Sequence, residues 1–188
     1  MIRIVIAEDQ PMLLDALGSL LDLEENMKVV GKASNGEEAL SLVKQYQPDI
    51  CITDIEMPLK SGLDVAEELK NHSCKIIILT TFARTGYFER ARKAGVSGYL
   101  LKDGPSEDLV NSLRIIMNGG RVYAPELVDI AEDNPLVEQK HQEPEDAKKT
   151  KGITGDIYSN YISVFLDKLD VSNRMSAISR FKETGRFK

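Results

Sequence analysis

Five polar residues follow or end short apolar runs, and their types suit phosphoryl chemistry. Glu8 and Asp9 come after the run IRIVIA, Asp54 follows ICIT, Thr80 ends KIIILT, and Lys102 follows SGYLL. Carboxylates held close together repel one another unless a cation joins them. Mg²⁺ is a hard cation that takes carboxylate and phosphate oxygens. An ammonium and a hydroxyl would add a charge and a donor, so the five residues predict a cradle for a phosphoryl group on an aspartate.

The elements that would position these side chains alternate along residues 1–118. Five apolar runs have the length and composition of strands, namely Ile2–Ala7, Lys28–Lys32, Ile50–Thr53, Lys75–Thr80 and Ser97–Leu101. Amphipathic helical patterns follow them at residues 11–22, 36–46, 62–70, 86–94 and 105–118. This alternation predicts an α/β fold with a doubly wound, five-stranded parallel sheet. The site would lie at the carboxyl ends of the strands, where such folds bind ligands.

Composition and charge indicate a globular protein with two unlike parts. Hydrophobic residues make up 42% and charged residues 29% of the chain, as is usual for a globular protein. The net charge of −6 argues against a wholly basic nucleic-acid-binding protein. Residues 1–134 contain 14 Lys/Arg and 22 Asp/Glu, whereas residues 148–188 contain 9 and 4. The acidic first part and the basic tail suggest two roles in one chain.

The sequence shows no pattern of export or membrane insertion. The apolar stretch at the N-terminus is too short for a signal peptide, and no run reaches the roughly 18 apolar residues of a membrane span. Cys51 and Cys74 lie in or beside apolar strands without a CxxC motif, so we expect inert thiols in a reducing compartment. These observations predict a cytoplasmic protein with no membrane partner.

Residues 1–118 resemble the receiver domain of a two-component response regulator. The motifs that carry the resemblance are IAEDQ, ITDIEMP with Gly62 soon after it, ILTT, and GYLLKD. The resemblance implies a flavodoxin-like fold in which a sensor histidine kinase phosphorylates Asp54. It also implies a Mg²⁺ site formed by Glu8, Asp9, Asp54 and the backbone carbonyl of Glu56. Thr80 and Tyr99 would be the residues that switch conformation, and Lys102 would pair with the phosphate. Asp103 stands where many receivers have proline, so we do not expect a cis-proline turn there.

Residues 136–188 resemble parts of the helix-turn-helix output domain of the LuxR/NarL (FixJ) type. NPL at 134–136 and NYISVFLDKLDVSNRMSAISRFKETG at 160–185 carry this resemblance. Residues 137–149 contain few apolar side chains, and Pro144 would break a helix there. About seven residues that would begin the recognition helix are missing before Asn160. We therefore expect a receiver at 1–118, a linker at 119–135, and a small, incomplete all-α output region at 136–188.

The resemblance implies a homodimer formed on phosphorylation and promoter DNA as a further partner. The expected DNA contacts are Asn160, Tyr161, Lys168 and Arg174. The two basic residues would contact DNA phosphates, which positions the protein on DNA but does not specify the base sequence.

Three functions stay open on the sequence alone. The first is a response regulator that controls transcription through its C-terminal region. The second is a receiver that takes a phosphoryl group and dimerises but has lost specific DNA binding. The third, a Mg²⁺-dependent phosphohydrolase, is disfavoured because Glu56 stands where such enzymes need a second aspartate. We therefore predict no enzymatic activity beyond accepting the phosphoryl group and removing it again from Asp54.

Overall fold

The computed structural model describes residues 1–81 and 84–125, which form a parallel sheet of six strands in the order β2-β1-β3-β4-β5-β6. Helices connect the first five strands and cover both faces of the sheet. The elements in chain order are β1 Ile2–Ala7, α1 Pro11–Asp22, β2 Met27–Ala33, α2 Gly36–Tyr46, β3 Ile50–Thr53, α3 Gly62–Glu68, β4 Lys75–Thr80, α4 Thr85–Ala94, β5 Gly98–Leu101, α5 Ser106–Met117 and β6 Val122–Tyr123.

The doubly wound parallel fold predicted from the sequence is confirmed, but the predicted number of strands is wrong. The sixth strand, β6, lies in the segment 119–135 that we expected to be a linker. It has two residues and pairs with the edge of β5, where Val122 N–H donates to Ser97 O at 3.1 Å and Ala124 N–H donates to Tyr99 O at 2.9 Å. Two residues are too few for a periodic pattern. Of the ten predicted elements, five have the predicted ends, and the other five differ at their ends by one or two residues.

Two apolar layers enclose the sheet. Helices α2, α3 and α4 pack on the face that carries Val5 and Cys51, whereas α1 and α5 pack on the face that carries Ile4 and Ile52. Successive side chains of a strand point to opposite faces, so the central strands are covered on both sides. This explains why β3 and β4 are apolar almost throughout, and it fixes their carboxyl ends at one edge.

Local signals account for the ends of several helices. Pro11 occupies the first position of α1, where its missing N–H costs nothing. Asn35 caps α2 because its side chain accepts the Glu38 N–H at 2.9 Å. Helix α4 ends at Gly95, whose φ of 81° lies in the left-handed region that glycine adopts without strain. These signals make the connections short and bring each strand back beside the others.

The predicted output region at 136–188, with Asn160, Tyr161, Lys168 and Arg174, lies outside the described residues. Within the described part of the chain, every helix is too short or too polar to cross a membrane.

Candidate phosphoryl-acceptor site

The carboxyl edge of the sheet brings together the side chains singled out in the sequence. Asp54 follows β3 in the middle of the sheet, Glu8 follows β1, and Lys102 follows β5. Lys102 Nζ lies 2.6 Å from Glu8 Oε2 and 2.7 Å from Asp54 Oδ2. Glu8 and Lys102 are each 1% exposed and Asp54 is 7% exposed. The ammonium group therefore lies between two buried carboxylates.

Backbone hydrogen bonds beyond the strand ends hold these three residues in register. Asp54 N–H donates to Ala7 O at 3.0 Å, and Lys102 N–H donates to Thr80 O at 2.8 Å. Glu8 N–H donates to a carbonyl of β2 in the same way, at 3.0 Å. The sheet thus continues for one residue past its strands. The three side chains leave a rigid edge rather than a loop, which favours a preorganised site.

Burial and charge oppose each other in this cluster. Desolvation, together with the nearby charge of Asp54, raises the pKa of Glu8 to about 7 against the attraction of Lys102. For Lys102, burial alone would lower the pKa, but Glu8 and Asp54 more than offset it, so that the pKa lies above its ordinary value. Lys102 is therefore a permanent positive charge beside Asp54.

Glu8, Asp9 and Asp54 fit a hard divalent cation. Each offers a carboxylate oxygen, and these oxygens lie within 4.8 Å of one another. Asp9 is exposed, so the cluster opens to solvent on that side. With all three carboxylates ionised, Lys102 leaves the cluster with a net negative charge, as a cation site made of oxygen ligands requires. The cluster could therefore hold Mg²⁺.

Glu56 lies in the loop after Asp54, two residues along the chain. Its side chain is exposed, and Oε1 lies 3.9 Å from Arg84 Nη1. The contact with Arg84 involves only the side chain of Glu56, whereas the atom predicted as a metal ligand is its backbone carbonyl oxygen.

The two predicted switch residues lie on β4, which pairs with the strand that leads to Asp54, and on β5, one strand further out. Thr80 ends β4 and is buried, and Tyr99 lies in β5 with its ring in the core. The Tyr99 ring packs edge-on against Phe88 of α4, with the ring centroids 5.5 Å apart and the planes at 88°. Burial raises the pKa of the Tyr99 phenol, so the ring is neutral. Tyr99 thus links the strand that leads to Lys102 with helix α4.

Helix α3 begins directly against the backbone of Asp54. Gly62 N–H donates to Ile55 O at 3.1 Å, and a Cβ at position 62 would overlap the carbonyl oxygen of Asp54. A capping box fixes this helix end, since Ser61 N–H donates to Asp64 Oδ2 at 3.0 Å and Asp64 N–H donates to Ser61 Oγ at 3.2 Å. Glycine is therefore required at position 62 by close approach.

One functional candidate escaped the sequence analysis. Arg90 of α4 donates to both carboxylate oxygens of Glu67 at 2.6 and 2.8 Å and to Asp64 Oδ1 at 2.7 Å. It thereby ties α4 to the start of α3, and so to the acceptor loop. Its partners lie 23 and 26 residues away on another helix. No spacing rule within one helix could have revealed this contact.

The family model for the response regulator receiver domain matches residues 4–114. The chain belongs to the response regulator family. This response regulator is 58% identical to the transcriptional regulatory protein DesR of Bacillus subtilis, over all of both chains. It is 53% identical to the uncharacterized transcriptional regulatory protein YvfU of the same organism, over 98% of this chain and 99% of the other.

Solved structures place this response regulator with the LuxR/NarL type that the sequence motifs indicated. A LuxR-family DNA-binding response regulator from Staphylococcus aureus is 39% identical, with a TM-score of 0.61 over 63% of this chain and all of the other. A LuxR-family response regulator from Aurantimonas is 26% identical, with a TM-score of 0.67 over 71% and 97%. Both the family and the type predicted from the sequence are confirmed.

The comparison with DesR also bears on chain length. The alignment spans 199 positions, which is 11 more than the 188 residues of this response regulator. At least that many positions of DesR have no counterpart here. The difference agrees in direction with the deletion expected before Asn160.

Proposed function

We propose that Asp54 accepts the phosphoryl group of a sensor histidine kinase. The response regulator to which it belongs controls transcription in a two-component system. The observation that carries the proposal is the position of Lys102 Nζ, which lies 2.6 and 2.7 Å from the buried carboxylates of Glu8 and Asp54. A lysine placed in this way compensates the charge of a carboxylate that is about to gain more negative charge. Such transfers depend mainly on positioning and charge neutralisation.

Each part of the site has a role in the transfer. An oxygen of Asp54 attacks phosphorus, an O–P bond forms, and the P–N bond to the kinase histidine breaks, with the electron pair leaving on the imidazole. Lys102 and the N–H of Ile55, which donates to Asp54 Oδ1 at 2.6 Å, hold the carboxylate in place. Glu8, Asp9, Asp54 and the backbone carbonyl of Glu56 would hold Mg²⁺, which would neutralise charge on the phosphoryl oxygens.

The switch follows from the charge added at Asp54. Thr80 and Lys102 close on the new phosphoryl oxygens, the first as a hydroxyl donor and the second as a cation. Tyr99 responds because it lies in β5, which pairs with the strand that ends at Thr80 and leads to Lys102, and because it packs on α4 through Phe88. A local electrostatic change thus biases the position of the face formed by residue 81 and residues 84–101.

The proposed output is phosphorylation-dependent homodimerisation and promoter binding by residues 136–188. The segment 119–135, whose residues 122 and 123 form β6 of the receiver sheet, joins this region to the receiver. Asn160, Tyr161, Lys168 and Arg174 are the proposed DNA contacts. The competing function, motivated by the residues that the sequence lacks before Asn160, is a dimerising receiver without specific DNA binding.

One experiment tests the acceptor. Wild type, Asp54→Asn and the control Asp103→Asn are incubated with acetyl phosphate and Mg²⁺, and incorporated phosphate is measured. Asp103 is an exposed aspartate next to Lys102, so its replacement should leave labelling intact. Asp54→Asn should take no label; a label at the wild-type level in that variant would exclude Asp54.

A second experiment separates the two outputs. Sedimentation and electrophoretic mobility with the promoter of the chain's own operon are measured before and after phosphorylation. Dimerisation together with a salt-resistant, sequence-specific band supports transcriptional control through direct binding. Dimerisation without such a band supports the receiver that has lost specific DNA binding.

A further inference from the structure

A cavity of about 270 Å³ lies at the edge of the sheet where the strands begin, opposite the acceptor site. Three connections enclose it: the segment from α3 to β4, the segment from α4 to β5, and the residues between α5 and β6. Lys75, the first residue of β4, lines it, whereas Thr80 at the other end of that strand lies about 17 Å away along the chain. The cavity is therefore separate from the phosphoryl-acceptor site.

The charge of this cavity is entirely positive. Lys70 and Lys75 line it from the connection into β4 and Arg121 from the connection into β6, and no aspartate or glutamate is among the lining residues. None of the three forms an ion pair with a residue in the described part of the chain. A protein of net charge −6 thus gathers three exposed cations around one partly open cavity, where each raises the potential felt by an anion.

A histidine adds a directional donor. Cys74 N–H donates to His72 Nδ1 at 3.1 Å, so Nδ1 is the acceptor nitrogen and Nε2 carries the ring hydrogen. Ser73 and Ser97 contribute hydroxyl groups to the same lining. The cavity therefore offers hydrogen-bond donors together with positive charge, which is the combination that binds oxyanions.

We propose that this cavity binds a small phosphate-type oxyanion, such as phosphate or diphosphate, through Lys70, Lys75 and Arg121. A volume of 270 Å³ equals the space of about nine water molecules, which accommodates a diphosphate. No Phe, Tyr or Trp lines the cavity, so it has no platform on which a nucleobase would stack. Recognition here is of the charged group alone.

Binding at this cavity would affect the connection that leaves the receiver. Arg121 lies between Gly120 and β6, and Gly119 has a φ of 90°. An anion held jointly by Arg121 and Lys75 would fasten the start of β6 to the start of β4. The ligand would thus stabilise the sixth strand, which has two residues and pairs with β5 alone among the described strands.

The proposal is tested by titrating the full chain with sodium diphosphate at constant ionic strength, with EDTA present so that the acidic site binds no metal. Heat of binding gives the affinity, and backbone amide shifts give the location. We expect saturable binding with shifts at Ser73, Gly95 and Gly120 and none at Asp54. An absence of saturation, or shifts confined to the Asp54 edge, would overturn the proposal.

Matched charge variants separate site binding from general attraction. Lys75→Gln with Arg121→Gln removes two lining cations and should weaken affinity by about tenfold or more. Lys44→Gln with Lys93→Gln removes two exposed cations that do not line the cavity and should leave affinity within about twofold. Equal weakening in both pairs would mean that only net charge matters. Because Lys75 and Arg121 are exposed, melting curves should show both pairs folded, and Lys70→Gln provides a third, independent test.

Discussion

Replacement of Lys102 by methionine removes the ammonium from between Glu8 and Asp54 and keeps a side chain of similar length. Both carboxylates are buried and lie within 2.7 Å of Lys102 Nζ in the wild type. Removing one partner from a buried ion pair typically costs about 3–5 kcal/mol, because the remaining charge is left without compensation. We expect a loss of unfolding free energy of this size at pH 8.

The loss should shrink as the pH falls. The pKa of Glu8 is about 7 in the wild type, and without Lys102 it rises further because the attraction of the ammonium is gone. When the pKa of a carboxyl group is higher in the folded state than in the unfolded chain, the folded state binds more protons at pH values between the two pKa values. The free energy of unfolding therefore falls as the pH rises through this range. At pH 6 Glu8 is protonated in the variant, and one of the two buried charges disappears.

Urea unfolding followed by circular dichroism at pH 6, 7 and 8 measures this effect. Lys28→Met is a suitable control because Lys28 forms an exposed pair with Asp22 at 3.1 Å, and such pairs contribute about 0–1 kcal/mol. A Lys102→Met protein as stable as wild type at pH 8, or one whose deficit grows toward pH 6, would refute the reasoning.

Three further substitutions test the surroundings of the acceptor. Gly62→Ala should cost about 1–3 kcal/mol in urea unfolding and slow the labelling of Asp54, because the new methyl group overlaps its carbonyl; Gly86→Ala, which meets nothing within 4 Å, should stabilise α4 or leave it unchanged. Arg90→Lys keeps the positive charge but loses the bidentate contact with Glu67. The affinity of dimerisation on phosphorylation should therefore weaken by more than the free energy of unfolding does. Asp64→Asn should lower the free energy of unfolding near neutral pH. The difference from wild type should vanish as acid protonates the wild-type carboxyl, because hydrogen bonds with Ser61 and Arg90 lower the pKa of Asp64 and stabilise only its ionised form.

The sequence was sufficient to predict the fold and the composition of the acceptor edge. Strands buried on both faces leave an apolar run, and the first charged residue after such a run marks the sheet edge, as at Asp54 and Lys102. Parallel pairing then makes these ends converge without any further information. The clustering of Lys102 with Glu8 and Asp54 could be predicted from the sequence, whereas the two contacts of under 3 Å could not.

Features that depend on contacts between distant segments could not be predicted. β6 is held by backbone bonds to β5, and these leave no side-chain pattern. The Arg90 contacts join two helices, so a polar helix face looked like an ordinary solvated surface. The basic cavity gathers Lys70, Lys75 and Arg121 from segments up to 51 positions apart, and each of them alone resembles a common surface charge.

The central claim is that phosphoryl transfer takes place on Asp54. After incubation with acetyl phosphate and Mg²⁺, acyl phosphates are reduced with borohydride, and the altered residue is located by peptide mass spectrometry. We expect a single modified carboxylate, at Asp54, and no modification when Mg²⁺ is chelated. Modification of Glu8 or Asp9 in place of Asp54, or of Asp54 at an unchanged rate in Lys102→Met without Mg²⁺, would contradict it.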